Sequence, residues 1–276
     1  MSLATFIPEA PRIDRLPRYL YKYRSLAPGQ SEYTRRILTH NELFFASPLN
    51  FNDPFENYFS LDIRAVEEKF VPMLQERQKR GFSEVPFWWI VEAIDKWRLN
   101  IRRDYLKTIG IVSLSQYPDN ILLWSHYADS HQGVCFEFDL EEVGTFIEKS
   151  AIMPVVYSQR CPTSTMASEH LVKAVVHSMY TKAEVWSYEG EWRFVRRHTG
   201  PGPATFPSLM LSGIIFGADI SAKDRDSFLI LIKKYQPHVN VGIACKDPWA
   251  YGLRLFEVGK KFEGDPWDPE ASILTC

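Results

Sequence analysis

Short segments with the alternation and residue types of β-strands recur along this whole chain, and the helical stretches between them are very unequal in length. That irregular interleaving constrains the fold more than any other feature. It excludes a helical bundle, and it lacks the even spacing of a repeating strand–helix–strand series. Strand character appears at 18–24, 42–46, 110–115, 133–138, 153–157, 191–197, 213–216, 239–245 and 253–258. Helical character appears at 30–39, 64–80, 84–107, 120–129, 167–185 and 222–235. The expected fold is α+β: a single domain over 1–276 on one mixed sheet, with residues 64–108 inserted as a helical lobe. With 276 residues, 45% of them hydrophobic, the chain can bury a core without covalent staples.

Local signals set the expected boundaries. Pro8, Pro11 and Pro17 make residues 1–17 an irregular arm, and the tail after Gly259 reads the same way. Ser83 and Asp119 are expected N-caps of the helices that follow them, and Asp139 of a short helix after 133–138. Ser221 with Asp224 three residues on resembles a capping box. Trp88, Trp89 and Trp97 suggest that the helical lobe is packed down and partly covers the site.

Composition narrows the partners. A net charge of −2 and a pI near 6.4 give no basic excess, which disfavours duplex nucleic acid. The four cysteines, Cys135, Cys161, Cys245 and Cys276, include no CxxC pair, and no His-x-x-Glu-His pattern exists, so no metal site is expected. Cys135 falls in an apolar strand and reads as core. No run reaches the about 20 apolar residues of a membrane span, and residues 1–15 lack the apolar segment of a secretion signal. The chain therefore reads as cytoplasmic with free thiols, with no membrane association.

Polar residues gather in four clusters. In the first, alternation puts Tyr21 and Tyr23 on one strand face and Lys22 and Arg24 on the other; two adjacent cations can clamp a phosphate or carboxylate, or simply face water. The second is Asn50-Phe51-Asn52-Asp53-Pro54-Phe55-Glu56, a loop whose Asn and Asp make Asx-turns or meet a ligand, with both phenylalanines as anchors. Ser113 and Ser115 open the third, sharing a face opposite Val112 and Leu114, followed by Trp124, His126 and Tyr127. In the fourth, Glu189, Glu191 and Arg193 share a face while Trp192 and Phe194 enter the core. Two neighbouring carboxylates are costly unless something cationic answers them, either Arg193 or a cationic transition state. The candidate ligand-binding residues are thus Tyr21, Lys22, Asn52, Asp53, Ser113, Trp124, His126 and Tyr127.

Four segments together, Leu20–Ser25, Phe45–Glu56, Leu123–Asp129 with Gly133–Phe138, and Trp186–Arg193, resemble a bacterial family of domains of unknown function, number 2971, over about 19–258. That family implies no activity. The order of cation, Ser-x-Ser and Glu-x-Glu on successive strands also resembles the layout of ADP-ribosyltransferases. This second resemblance implies NAD as substrate and gives catalytic candidates: Arg24 (or Lys22) to hold the dinucleotide, Ser113 and Ser115 to brace the site, Glu191 as the catalytic carboxylate, and Glu189 as the accessory acid. A carboxylate beside a ribosyl cation stabilises the transition state more than the ground state. Ser113-Leu114-Ser115 departs from that layout in lacking its central Thr.

The leading reading is a ligand-binding or sensing module with one polar cleft for a small molecule or nucleotide, with no cofactor assigned. The alternative is an NAD-consuming ADP-ribosyltransferase or NAD glycohydrolase. A nuclease acting on an extruded base is disfavoured by the acidic balance. No protein partner is indicated. Convergence of Arg24, Ser115 and Glu191 on an open cleft favours the enzyme, whereas Glu191 buried against Arg193 without a cleft favours the module. Alternation places Lys22, Asn52, Ser115, Trp124 and Glu191 on one concave surface, and Tyr23, Leu114, Phe136 and Trp192 in the core.

Overall fold

The alternating segments assemble into a mixed sheet in a computed structural model, which describes residues 16–144, 146, 150–164 and 168–257. In chain order the elements are β1 (Tyr19–Arg24), α1 (Ser31–His40), β2 (Glu42–Phe45), β3 (Ser60–Leu61), α2 (Ile63–Lys79), α3 (Phe87–Leu106), β4 (Ile109–Ser115), α4 (Ile121–Tyr127), β5 (Val134–Asp139), β6 (Ala151–Pro154), β7 (Val156–Ser158), β8 (Thr163–Ser164), α5 (Ser168–Ser178), β9 (Thr181–Ala183), β10 (Glu191–Arg197), β11 (Gly202–Thr205), β12 (Leu211–Phe216), α6 (Ala222–Tyr235), β13 (Asn240–Lys246) and β14 (Leu253–Glu257). Eight strands form the main sheet in the order β14-β13-β12-β5-β1-β4-β10-β6, antiparallel except for β12 and β13. Helices and a mixed sheet make the fold α+β.

Strand alternation sorts the core onto the two faces of this sheet. Leu20, Leu114, Phe136, Phe138, Trp192 and Phe194 turn to one face and pack with Ile37 and Leu38 of α1 and Phe228 and Ile232 of α6. On the other face, Ile109, Ile111 and Val195 pack with Leu106 of α3 and Val175 of α5, and Tyr23, Cys135 and Ala244 pack with Leu123 and Trp124 of α4. Tyr23, Leu114, Phe136 and Trp192 are all buried, Tyr23 on the opposite face from the other three.

One irregularity in the sheet positions the site. β1 pairs β5 over six consecutive residues, and β4 pairs β10 over seven, but β1 meets β4 at one pair, Tyr21↔Ser115. Beyond it the strands part, and β4 instead bonds Ala46 through Ile111. Between those two contacts sits Ser113, whose carbonyl accepts a hydrogen bond from Lys22 Nζ at 2.7 Å.

Several local expectations are corrected. α3 starts after Pro86 with no side-chain cap, so Ser83 caps nothing. Asn120, not Asp119, caps α4, accepting from the N–H groups of Leu122 and Leu123. Segment 153–157 divides between β6, which pairs β10, and β7, which pairs β9 in parallel. The helix expected at 167–185 ends at Ser178, because the backbone from Tyr180 bonds to β7. Trp88, Trp89 and Trp97 are exposed rather than packed. Asp139 and Ser221 cap as expected, accepting from Glu141 N–H and Asp224 N–H. The thiols of Cys135 and Cys161 are free, whereas Cys245 is disulfide-bonded, against the expectation of free thiols throughout. The expected irregular arm and tail lie almost wholly outside the described residues. Among the described residues no helix is long and apolar enough to cross a membrane.

Candidate functional site

The opening between β1 and β4 leads into a cavity of about 600 Å³. It brings together Tyr21, Lys22, Arg24, Asn52, Ser113, Ser115, His126, Tyr127, Glu189 and Glu191, which come from five separate stretches of the chain. Residues from both faces of β1 reach this one space because β4 has moved aside. Two other candidates are absent from its lining. Trp124 is fully buried, edge-on to Tyr23 at 5.2 Å, with its indole N–H donated to the Pro118 carbonyl at 2.9 Å. Asp53 makes an Asx-turn instead, accepting from Phe55 N–H at 2.9 Å. Phe55 is exposed, so Phe51 alone anchors that loop.

One end of the cavity is a buried charge cluster. The Arg193 guanidinium donates to both oxygens of Glu191, Nε to Oε1 at 2.7 Å and an Nη to Oε2 at 3.0 Å. It also donates to Glu56 and to the Met179 carbonyl. Lys182 Nζ bonds Glu189 at 2.6 Å and Glu191 at 3.2 Å, and lies 3.9 Å from Glu56. Tyr127 donates its hydroxyl to the second oxygen of Glu189 at 2.8 Å. Burial works to raise the Glu191 carboxyl, but Arg193 and Lys182 outweigh it and hold the group at about 2. Three carboxylates thus face two cations, and all five residues are buried.

Local structure explains how the cluster forms. Glu189 ends a short 3₁₀ turn and Glu191 starts β10, with Gly190 between them at φ +49°, the left-handed region. A Cβ there would stand 2.4 Å from the Tyr117 ring. The reversal lets both carboxylates reach Lys182. Ser115 braces the turn, donating to the Glu189 carbonyl at 2.6 Å and accepting from Tyr117 N–H at 3.0 Å. α3 holds the loop that carries Glu56: Arg102 donates to the carbonyls of Glu56 and Asn57, and Arg98 to that of Phe59. No residue of α2 or α3 lines the cavity, so the helical pair supports the site from behind rather than covering it.

The two β1 cations differ from those in the cluster. Among the described residues no carboxylate lies within ion-pair distance of Lys22 or Arg24, and the buried Nε of Arg24 has no hydrogen-bond partner. Burial, then the neighbouring Arg24, pulls the Lys22 amine down to about 8, and burial lowers Arg24 as well. Among the described residues no group of three or more His, Cys, Asp or Glu side chains is placed to hold a metal ion.

Lys182 and Glu56 were not among the sequence candidates. The signal for Lys182 was indirect: Glu189 and Glu191 needed more positive charge than Arg193 supplies. The two geometric criteria are both met in part. Arg24, Ser115 and Glu191 do converge on an open cavity, yet Glu191 is also buried in an ion pair with Arg193.

Fold and site together define an α+β protein with a charged cavity set in a parted sheet. Residues 123–194 match the model of a family described as Protein of unknown function (DUF2971). The match takes in Lys182, Glu189, Glu191 and Arg193 but neither β1 nor β4, and so is narrower than the stretch of resemblance read from the sequence. No match to the chain was found among curated proteins or among solved structures.

Proposed function

We propose that the chain is a binding module for a phosphorylated small molecule of nucleotide size. The observation that carries this reading is the cation pair on β1. Lys22 and Arg24 are half-buried, border the cavity and lack counter-ions among the described residues, while each charged group of the neighbouring cluster takes part in an ion pair. Partly desolvated cations without counter-ions are costly, and an anion bound between them recovers that cost through charge-assisted hydrogen bonds. The cavity volume is within the range of small-ligand sites. Ser113, Ser125 and Tyr127 also border this space and give its wall a polar character that suits a sugar.

Thermal shift on the full chain with adenosine monophosphate, inorganic phosphate and adenosine tests this reading. The monophosphate is expected to raise the melting temperature, by the equivalent of about 2.7 kcal/mol at a hundred times its dissociation constant, and adenosine is not. The shift should vanish in Lys22→Gln/Arg24→Gln. Equal shifts from adenosine and its monophosphate, or a shift that survives the double substitution, would overturn the reading.

The NAD-consuming reading draws on Arg24 (or Lys22), Ser115 and Glu191 bordering one cavity, although it is Tyr21 and not either cation that pairs with Ser115. It has less support. A carboxylate that stabilises a ribosyl cation must be free to face it, and both oxygens of Glu191 are held by Arg193 and Lys182. Nicotinamide release on incubation with NAD is its direct test.

A further inference from the structure

A second cavity of about 530 Å³ adjoins the same parted strands. Lys22, Arg24, Phe51 and Ser113 line both cavities, so the two spaces meet at the unpaired cations. Beyond the shared residues their walls draw mainly on different sides of the sheet. Tyr21, Ser115 and Glu191 border the first, and Ile37 and Leu43, which belong to the core on the Leu20 face, border the second.

The walls differ in chemistry. The first cavity carries hydroxyls and carboxylates, whereas the second is mostly apolar, with Tyr33, Phe44 and Pro203 at its border. Its charged residues apart from the shared pair are Glu32, Arg36 and Glu42, and the last two satisfy each other through hydrogen bonds of 2.8 and 3.0 Å. Tyr33 and Phe44 meet edge to face at 6.0 Å while remaining 54% and 50% exposed. Two aromatic side chains held against each other beside a cation pair form a platform for a flat group.

We infer that the second cavity receives the second arm of the same ligand, making that ligand a two-armed phosphate: a polar arm in the first cavity, a flat aromatic arm against Tyr33 and Phe44, and a phosphodiester or pyrophosphate on Lys22 and Arg24 between them. This rests on the phosphate-binding reading above. A one-armed monophosphate fills one cavity and leaves the aromatic platform bare.

Calorimetric titration of the full chain tests the inference with three probes: adenosine monophosphate, the phosphodiester of two adenosines, and two adenosines joined by a pyrophosphate. At least one two-armed probe is expected to bind about tenfold or more tighter than the monophosphate, the scale of one base stacked on an aromatic side chain. Which of the two gains tells phosphodiester from pyrophosphate. Tyr33→Ala/Phe44→Ala should bring the two-armed probe down to the affinity of the monophosphate for the same variant, and Tyr33→Leu/Phe44→Leu, which keeps apolar bulk, should erase most of the gain. Monophosphate binding with no gain for either two-armed probe overturns the inference and spares the phosphate reading. A gain that persists in both double variants also overturns it. Failure of every probe to bind removes both.

Discussion

Glu191 and Arg193, two residues apart on one strand, clasp each other through a two-point hydrogen bond in a fully buried setting. Removing one partner strands the other. Glu191→Gln is expected to cost about 3–5 kcal/mol of stability, because Arg193 and Lys182 both lose charge compensation. Glu189→Gln is expected to cost less, since Lys182 keeps Glu191. Denaturant unfolding of the two variants checks this, and a Glu191→Gln variant as stable as the wild type would contradict it. The same pair predicts acid sensitivity. With its folded value held at about 2, below the ordinary carboxylate range, Glu191 contributes fully above that range and loses its contribution as pH falls toward 2. Glu191→Gln should therefore flatten part of the acid limb of a stability–pH curve.

The Lys22 amine responds at the other end of the pH scale. Its folded value of about 8 lies below that of a free lysine, so the cost of burying its charge is complete below about 8 and eases as pH rises beyond it. Binding of a phosphate has the opposite dependence. Affinity for adenosine monophosphate is expected to fall between about pH 7 and pH 9 as Lys22 discharges, leaving Arg24 alone to hold the anion. Among titratable groups, Arg24 works to lower this amine and Glu191 and Cys135 to raise it. Titrations of wild type and Lys22→Gln at both pH values test the assignment; an equal pH dependence in the variant would refute it.

Ser115 offers a third test. Its hydroxyl both donates and accepts within the protein, fixing the turn that presents Glu189 and Glu191. Ser115→Ala leaves the Glu189 carbonyl and the Tyr117 N–H without that partner, and a loss of about 1–3 kcal/mol is expected in denaturant unfolding. An unchanged midpoint would mean that the brace is dispensable.

Much of this site was legible from alternation alone. The period of two placed Glu191 and Arg193 opposite Trp192 and Phe194, and Lys22 and Arg24 opposite Tyr21 and Tyr23. Trp124 shows where that reasoning fails: the helical period brings it near Tyr127, but its ring turns inward to Tyr23 and Pro118. Lys182 was hidden because the apolar run before it reads as one long helix, while its true setting is a parallel pairing with Tyr157. Local pattern carries no information about such distant partners. The parting of β1 from β4 was invisible for the same reason, since it depends on Ala46 taking the place that β1 vacates.

That parting also has a mechanical consequence. Five strands lie on the β1 side of the main sheet and three on the β4 side, and one backbone pair stitches them at mid-sheet. Elsewhere in the sheet ladders of four to seven residue pairs stiffen neighbouring strands; along this seam, stiffness depends on side chains such as Lys22 reaching across to Ser113. The seam is therefore the compliant line of the sheet, where amide protons should exchange with solvent ahead of those in the flanking ladders. Whatever grips Lys22 there works at the fulcrum, where a small rotation displaces the sheet's outer edges most.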